Sequence, residues 1–135
     1  MADLTQTAAN VRITVNSGTT LVQVGEAVEP GMPGYLKASD SKYWKGVSTT
    51  AATANVQGVF VGNGDADDYV LFQTSGNINL GATLVVGESY FVSNTAGKIM
   101  PSADVSTGEF VTFLGTASTA ALMTLSINAS GIARA

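Results

Sequence analysis

The sequence predicts a single all-β domain, and three observations support this prediction. Across residues 58–101, apolar side chains alternate with small or polar ones, which is the period-2 pattern of half-buried strands. Glycine-containing turns interrupt this pattern so often that almost no connecting chain remains. A chain of 135 residues is also long enough to bury a core of its own within one domain. About ten short strands of this kind are typical of a barrel or a sandwich.

The first third of the chain predicts a hairpin, an irregular segment and a short strand. Residues 11–15 and 20–24 alternate in polarity around the turn Asn16-Ser17-Gly18, which favours a hairpin. The prolines and glycines of EPGMPGYL exclude regular pairing there except at a sheet edge. Residues 42–47 predict a short strand, and residues 48–57, with Ser or Thr as N-cap before alanines, predict the one helical turn.

The rest of the chain predicts a series of closely spaced strands and a final hairpin. Residues 110–118 and 121–127 would pair with each other across Thr119 and Ala120. We divide the chain into an N-terminal arm at 1–10, a β-domain at 11–128 and a C-terminal tail at 129–135, and we expect both ends to be short and flexible. The alternating apolar positions of the central block are Val59, Val61, Tyr69, Leu71, Ile78, Leu80, Leu84, Tyr90 and Val92.

The composition indicates a chain that works inside an assembly. Hydrophobic residues make up 45% of the chain, whereas charged residues make up only 12%, about half the usual share. A disordered acidic tail is excluded, because such tails are rich in charge and poor in apolar residues. Few ions have to be stripped of water when such a surface is covered by a partner. The net charge of −4 and the scattered positions of the six basic residues argue against a nucleic-acid partner.

Most catalytic and metal-binding chemistry is excluded by the absence of two residue types. The chain contains no His and no Cys, so Ser-His-Asp and Cys-His catalysis and the common zinc sites are impossible. Carboxylate pairs that would suit a glycosidase are also missing, since nothing pairs Glu88 or Glu109 with another acid. We therefore predict that the protein is not an enzyme and has neither catalytic residues nor a cofactor.

An acidic turn was the remaining metal candidate. Asn63, Asp65 and Asp67 have the 1, 3, 5 spacing of a calcium loop. The sixth position holds Asp68 where the loop needs glycine, and the twelfth holds Thr74 where it needs a bidentate glutamate. A polar turn is the better interpretation, and we predict no metal site.

The first ten residues lack the basic and apolar regions of a secretion signal, and the longest apolar run, at 80–87, is too short to span a membrane. We therefore expect synthesis in the cytoplasm and no membrane partner.

Five segments of the central block occur in a distinctive order: GVFVG, GDADD, YVLFQTSG, LGATLVVGESYFVS and TAGKIMP. In this order they resemble the decoration, or cement, proteins of tailed-phage heads. Members of that family combine a glycine-led apolar strand, an acidic-alanine turn, a strand ending in TSG, a GATLTAG-like turn with a YYVS-like strand, and a closing AGKIAP-like turn. The upstream YLKASDSKYWKG and AATANVQG also fit. The resemblance covers residues 25 to 127.

The resemblance implies a β-barrel-like or tulip-like domain without catalytic residues. It also implies a structural virion protein on the outer capsid surface, made in the host cytoplasm. Its partners would be the major capsid protein and itself, as homotrimers at three-fold and quasi-three-fold positions, with capsid stabilisation as the outcome.

Two groups of residues are candidates for binding. The arm residues could lie along a capsid groove or add a strand to it; they are Ala2, Asp3, Leu4, Thr5, Gln6 and Thr7. Tyr43 and Trp44 are candidate interface anchors, because aromatic side chains are enriched at such sites. An alternative function is a tail or fibre module that contacts host carbohydrate through Tyr43 and Trp44.

Overall fold

The predicted all-β class is confirmed. A computed structural model describes residues 3–7, 9, 11–13 and 18–134. The helical elements in this part of the chain are one α-helical turn, α1 (Ala51–Ala54), and a 3₁₀ turn (Ser102–Asp104). The helical turn predicted within residues 48–57 is therefore confirmed. No helix of the described residues is long and apolar enough to cross a membrane.

The described residues form ten strands: β1 (Val11–Ile13), β2 (Gly18–Gln23), β3 (Pro33–Lys37), β4 (Lys42–Lys45), β5 (Val56–Phe60), β6 (Tyr69–Leu80), β7 (Ser89–Val92), β8 (Ile99–Pro101), β9 (Phe110–Ala117) and β10 (Leu122–Ala133).

The strands build one curled antiparallel sheet that forms a half-barrel. Its main path runs in the order β4-β3-β5-β6-β10-β9-β7-β8. The long strand β6 is the centre of this arrangement, because β1 and β2 also pair with it outside the main path. Its first half pairs with β2 and β5, and its second half pairs with β1 and β10.

The predicted first hairpin is wrong. β1 and β2 are paired with β6 instead: Val11 lies opposite Leu80, whereas Leu21 lies opposite Leu71. Residues 14–17, which include most of the predicted turn, lie outside the described residues. The alternation in residues 11–24 was real, but β6 offers a twelve-residue strand that satisfies both segments at once.

A β-bulge interrupts the pairing of β6 with β2, and the inward-facing residues of β6 differ from the expected ones. Opposite β6, Gly18 pairs with Ser75 and Thr19 with Gln73, so Thr74 is the extra residue. Before the bulge Val70 and Phe72 are buried, and the expected core positions Tyr69 and Leu71 are exposed instead. Four consecutive apolar residues, Tyr69 to Phe72, cannot indicate by period alone which pair faces inward. The side-chain amide of Gln73 stabilises the bulge by donating to the carbonyls of Ser75 and Asn77, at 2.9 and 2.8 Å.

Two further strands differ from the sequence-based expectation. β3 pairs with β4 on one side and β5 on the other, so the segment containing Pro33 is not at an edge. Pro33 is tolerated because it is the first residue of its strand. The final hairpin of β9 and β10 is confirmed. β10 continues to Ala133, so most of the segment assigned to a C-terminal tail is part of the sheet.

The curled sheet encloses two hydrophobic clusters. The larger cluster lies among β1, β5 and strands β6 to β10, with Ile78, Leu80, Leu114 and Met123 completely buried. The smaller one is built around Phe60 and Phe72, whose ring centroids are 5.1 Å apart.

The smaller cluster is closed where β2 meets β4. The backbone N–H of Gly25 donates to the carbonyl of Tyr43 at 3.0 Å, next to an isolated bridge between Val24 and Tyr43. Lys42 forms an ion pair with Asp67 at the same seam. Together these interactions hold β4 next to β2. The other face of β2 and β6 therefore faces outward.

Candidate functional site

Residues 3–7 of the predicted arm lie against the domain. The N–H of Leu4 donates to the carbonyl of Ile99 on β8 at 2.7 Å, and the N–H of Thr7 donates to the carbonyl of Gly81 at 2.7 Å. The Leu4 side chain packs against the larger cluster. Asp3 accepts a hydrogen bond from the hydroxyl of Ser93. The sequence signal for this docking was Leu4, the only large apolar side chain of the arm after Met1; Ala2 lies outside the described residues.

Two glycines let the arm approach the backbone closely. Gln6 donates from its side-chain amide to the carbonyls of Gly31 and Leu80, at 3.1 and 3.2 Å. Gly31 has φ 92°, and a Cβ there would lie 2.6 Å from the Gln6 amide nitrogen. Gly81 has φ 69°, and a Cβ there would overlap the carbonyl of Thr7. Any side chain at either position would therefore displace the arm.

An exposed apolar surface lies on the outer side of β2 and β6, and we call it the outer-face patch. It consists of Leu21, Tyr69 and Leu71, which are 59%, 64% and 45% exposed. Leu21 and Leu71 are direct cross-strand partners, so their side chains stand next to each other on one face. Tyr69 lies two residues along β6 from Leu71 and therefore points to the same face. Sequence reasoning missed this patch because it assigned Tyr69 and Leu71 to the core.

Of the two predicted anchors, Tyr43 is half-buried and packs against the core. Its ring centroid lies 4.9 Å from that of Phe72, and the side chain packs against the smaller cluster. The adjacent residue on β4, Trp44, is placed on the other face of the strand and is half-buried. The structure therefore separates the two residues that the sequence analysis grouped.

Trp44 already has partners on this surface. Its indole N–H donates to the carboxylate of Asp40, with 3.1 Å to Oδ2. The ammonium of Lys37 lies 4.2 Å from the ring centroid, a cation–π distance. A side chain at Gly25 would overlap the indole, so the backbone there packs directly against Trp44. A ligand that stacks on this ring must first displace Lys37.

Two carboxylates of the acidic turn accept hydrogen bonds from other groups of the domain. Asp68 accepts from the backbone N–H of Asp65 at 2.8 Å, and Asp67 accepts from Lys42. The hydrogen bond from Lys42 to Asp67 raises the pKa of Lys42. Among the described residues no three His, Cys, Asp or Glu side chains are placed to hold a metal ion. The arrangement therefore agrees with a polar turn.

A groove of about 1120 Å³, which we call the arm groove, lies beside the arm. It is bounded by the arm, by the β6–β7 loop at residues 81–88 and by residues 101–104. Three carboxylates lie along it, those of Asp3, Glu88 and Asp104. Sequence reasoning did not find this groove, because the three segments that form it are distant in the chain.

Glu88 is held in its ionised form within the arm groove. Its Oε1 accepts from the hydroxyl and from the backbone N–H of Ser102, at 2.7 and 3.2 Å. These hydrogen bonds lower the pKa of Glu88 below its ordinary value, the side-chain bond having the larger effect.

Glu109, the other carboxylate considered for acid-base chemistry, is buried, and both of its carboxylate oxygens accept hydrogen bonds. Its Oε1 accepts from the hydroxyl of Ser48 at 2.8 Å, and Oε2 accepts from the backbone N–H of Ser106. Its backbone also binds the C-terminal segment, because the N–H of Arg134 donates to the Glu109 carbonyl at 2.8 Å. These hydrogen bonds connect the start of β9 with the segment around residue 48 and with the end of β10.

The comparisons with known proteins add no relative: no family model matches this chain, and no curated protein matches it.

Proposed function

We propose that this protein is a decoration protein, a structural component that binds the outer surface of a tailed-phage capsid and stabilises contacts between major capsid protein subunits. The observation that carries the proposal is the outer-face patch. The resemblance of residues 25 to 127 to the cement proteins and the all-β fold are consistent with it.

The patch has the chemistry of a protein-binding surface. Adjacent large apolar side chains exposed on one sheet face lose an unfavourable contact with water when a partner covers them. Tyr69 also combines a broad apolar ring with a hydroxyl that can bond to a partner. The polar neighbours on β2, Thr19 and Gln23, carry no charge that would have to be desolvated.

We further propose that three copies act together at the three-fold and quasi-three-fold positions of the capsid. A closed ring of three uses the same pair of surfaces at each contact. Three joined copies raise the effective concentration at the second and third capsid contacts, so individually weak contacts give firm attachment. If the arm left its position against Ile99 and Gly81 when the protein binds the capsid, it would add further contacts with the capsid.

The alternative, a tail or fibre module that binds carbohydrate through Tyr43 and Trp44, has less support. Tyr43 packs into the smaller cluster, and Lys37 covers the ring of Trp44. A sugar would therefore have to break an existing cation–π contact before it stacked.

Sedimentation with two kinds of particle tests the function. The protein is mixed with expanded, genome-filled heads or with host cell envelopes, and the pelleted fraction is measured. We expect pelleting with heads, and we expect the double variant Leu21→Ser/Leu71→Ser to reduce it strongly. Ile132→Ser is the control, because Ile132 is even more exposed, at 69%, but lies near the end of β10. Pelleting with envelopes alone would favour the alternative, and equal pelleting of all variants would refute the role of the patch.

A further inference from the structure

The arm groove combines an apolar wall with uncompensated negative charge. The wall includes Leu4, Ala82, Val85, Tyr90, Pro101 and Ala103. Val85 and its neighbour Val86 are exposed at the tip of the loop, so the apolar surface continues to the rim of the groove. Such consecutive exposed aliphatic residues gain from being covered.

The charge of the groove has one sign only. Asp3, Glu88 and Asp104 line it, and no Lys or Arg is among the described residues that do so. Within the described part of the chain, the ion pairs join Lys42 to Asp67 and Lys45 to Glu26, so none neutralises the groove. Because the hydrogen bonds from Ser102 keep Glu88 ionised, its charge persists in mildly acidic solution.

We propose that the arm groove binds an extended polypeptide segment of another protein, one that presents Lys or Arg between small apolar side chains. The apolar side chains would contact Leu4, Ala82 and Val85, and the cations would lie beside Glu88 and Asp104. The groove is open rather than enclosed, and apolar and acidic side chains both line it, which favours an extended polypeptide segment.

A second copy of this chain does not supply a suitable segment. Lys42 and Lys45 are its only closely spaced cations, and both are in ion pairs. The other four basic residues, Arg12, Lys37, Lys98 and Arg134, are isolated in the sequence, so no segment that contains one of them places two cations close together to pair with Glu88 and Asp104. The partner is therefore a protein of different sequence, and the proposal holds whether or not that protein is a capsid subunit.

The test is a titration of the full ¹⁵N-labelled chain with short synthetic peptides, followed by NMR. The probe peptide alternates Lys and Val; one control peptide alternates Glu and Val, and the other alternates Lys and Ser. We expect the Lys-Val peptide to shift the amide signals of residues 81–88 and 101–104. We expect the Lys-Ser peptide to bind more weakly, because it lacks the apolar contacts, and the Glu-Val peptide not to bind.

Two variants locate the charge effect. Glu88→Gln/Asp104→Asn removes two groove charges, and Gln can still accept from Ser102. Losing two exposed ion pairs should weaken binding about three- to tenfold. The control Glu29→Gln/Asp65→Asn removes the same charge from exposed positions outside the groove, so its affinity should stay close to that of the wild type. The ¹⁵N spectrum of each variant reports whether the fold is retained.

Several results would overturn the proposal. They are failure of the wild type to bind the Lys-Val peptide, equal binding of the Lys-Ser peptide, signal shifts outside the groove, and equal weakening by both double variants. Equal weakening would mean that the peptide responds only to the net negative charge of the protein. None of these results would bear on head binding through the outer-face patch.

Discussion

Replacing Phe72 with Ala should be among the most destabilising single changes in this protein. The side chain is only 1% exposed, and its ring contacts those of Tyr43 and Phe60 at 4.9 and 5.1 Å. Removing a buried Phe ring costs about 3–5 kcal/mol. The upper half of that range applies here, because two glycines line the site. A Cβ at Gly34 or Gly58 would lie 3.0 or 2.6 Å from the Phe72 ring, so neither residue has a side chain that could fill the cavity.

Phe91→Ala is the matched control, since it deletes the same ring from a half-buried position. The Phe91 ring lies 5.7 Å from that of Phe113 in an edge arrangement. Losing partial burial and one aromatic pair should cost roughly 1–2 kcal/mol. The free energy of unfolding of each variant is measured by urea denaturation with fluorescence and circular dichroism as probes. If Phe72→Ala leaves no folded baseline, Phe72→Leu provides the comparison. A cost for Phe91→Ala equal to or above that for Phe72→Ala would refute the reasoning from burial.

Four further predictions concern the arm, a carboxylate, metal content and the assembly. Deleting residues 2–9 should leave the fold intact but lower the free energy of unfolding by about 1–2 kcal/mol, because the Leu4 and Gln6 contacts are lost. The deletion should also weaken attachment to heads, and unchanged head occupancy would contradict the role of the arm. Because the pKa of Glu88 is lowered in the folded state, its stabilising effect is full above its ordinary pKa of 4.5 and is lost as pH falls through the folded-state value. The difference in unfolding free energy between the wild type and Glu88→Gln should therefore shrink in acid, and a difference that grew in a urea series across acidic pH would contradict this. Elemental analysis of the washed protein should find no stoichiometric metal. Heads carrying the protein should rupture at a higher temperature than bare heads, and light scattering should give the mass of three chains; a free monomer with no shift in rupture temperature would contradict both expectations.

The sequence was sufficient for the class of fold and for its local elements. Period-2 alternation, glycine turns and an alanine-rich turn after Thr50 each depend on neighbouring residues, and the helix α1, the strand β4 and the final hairpin were found from them. Strand partners were harder to predict, because pairing depends on segments far apart in the chain. Nothing in residues 11–24 indicates that β6 would be long enough to pair with both strands.

The candidate site was less predictable for a related reason. The outer-face patch depends on which of the four consecutive apolar residues 69–72 face inward, and in the structure Phe72 is buried whereas Leu71 is exposed. The arm groove depends on three segments that meet only in the folded chain. Leu4 was identified from the sequence as the notable apolar residue of the arm, but its contact with the domain required the positions of Ile99 and Gly81.

The central position of β6 determines how this chain has to fold. Its hydrogen-bonded neighbours come from near the start of the described chain, from the middle and from the last strand, so few of its contacts are local. Domains dominated by such distant pairings fold slowly, in milliseconds to seconds, because long loops must close before the contacts form. During synthesis β6 would emerge well before β9 and β10, and its apolar Ile78 and Leu80 would remain uncovered until those two strands are available. The sheet is therefore completed only when β10 joins it, and a chain truncated before β10 should aggregate rather than form a stable part of the sheet.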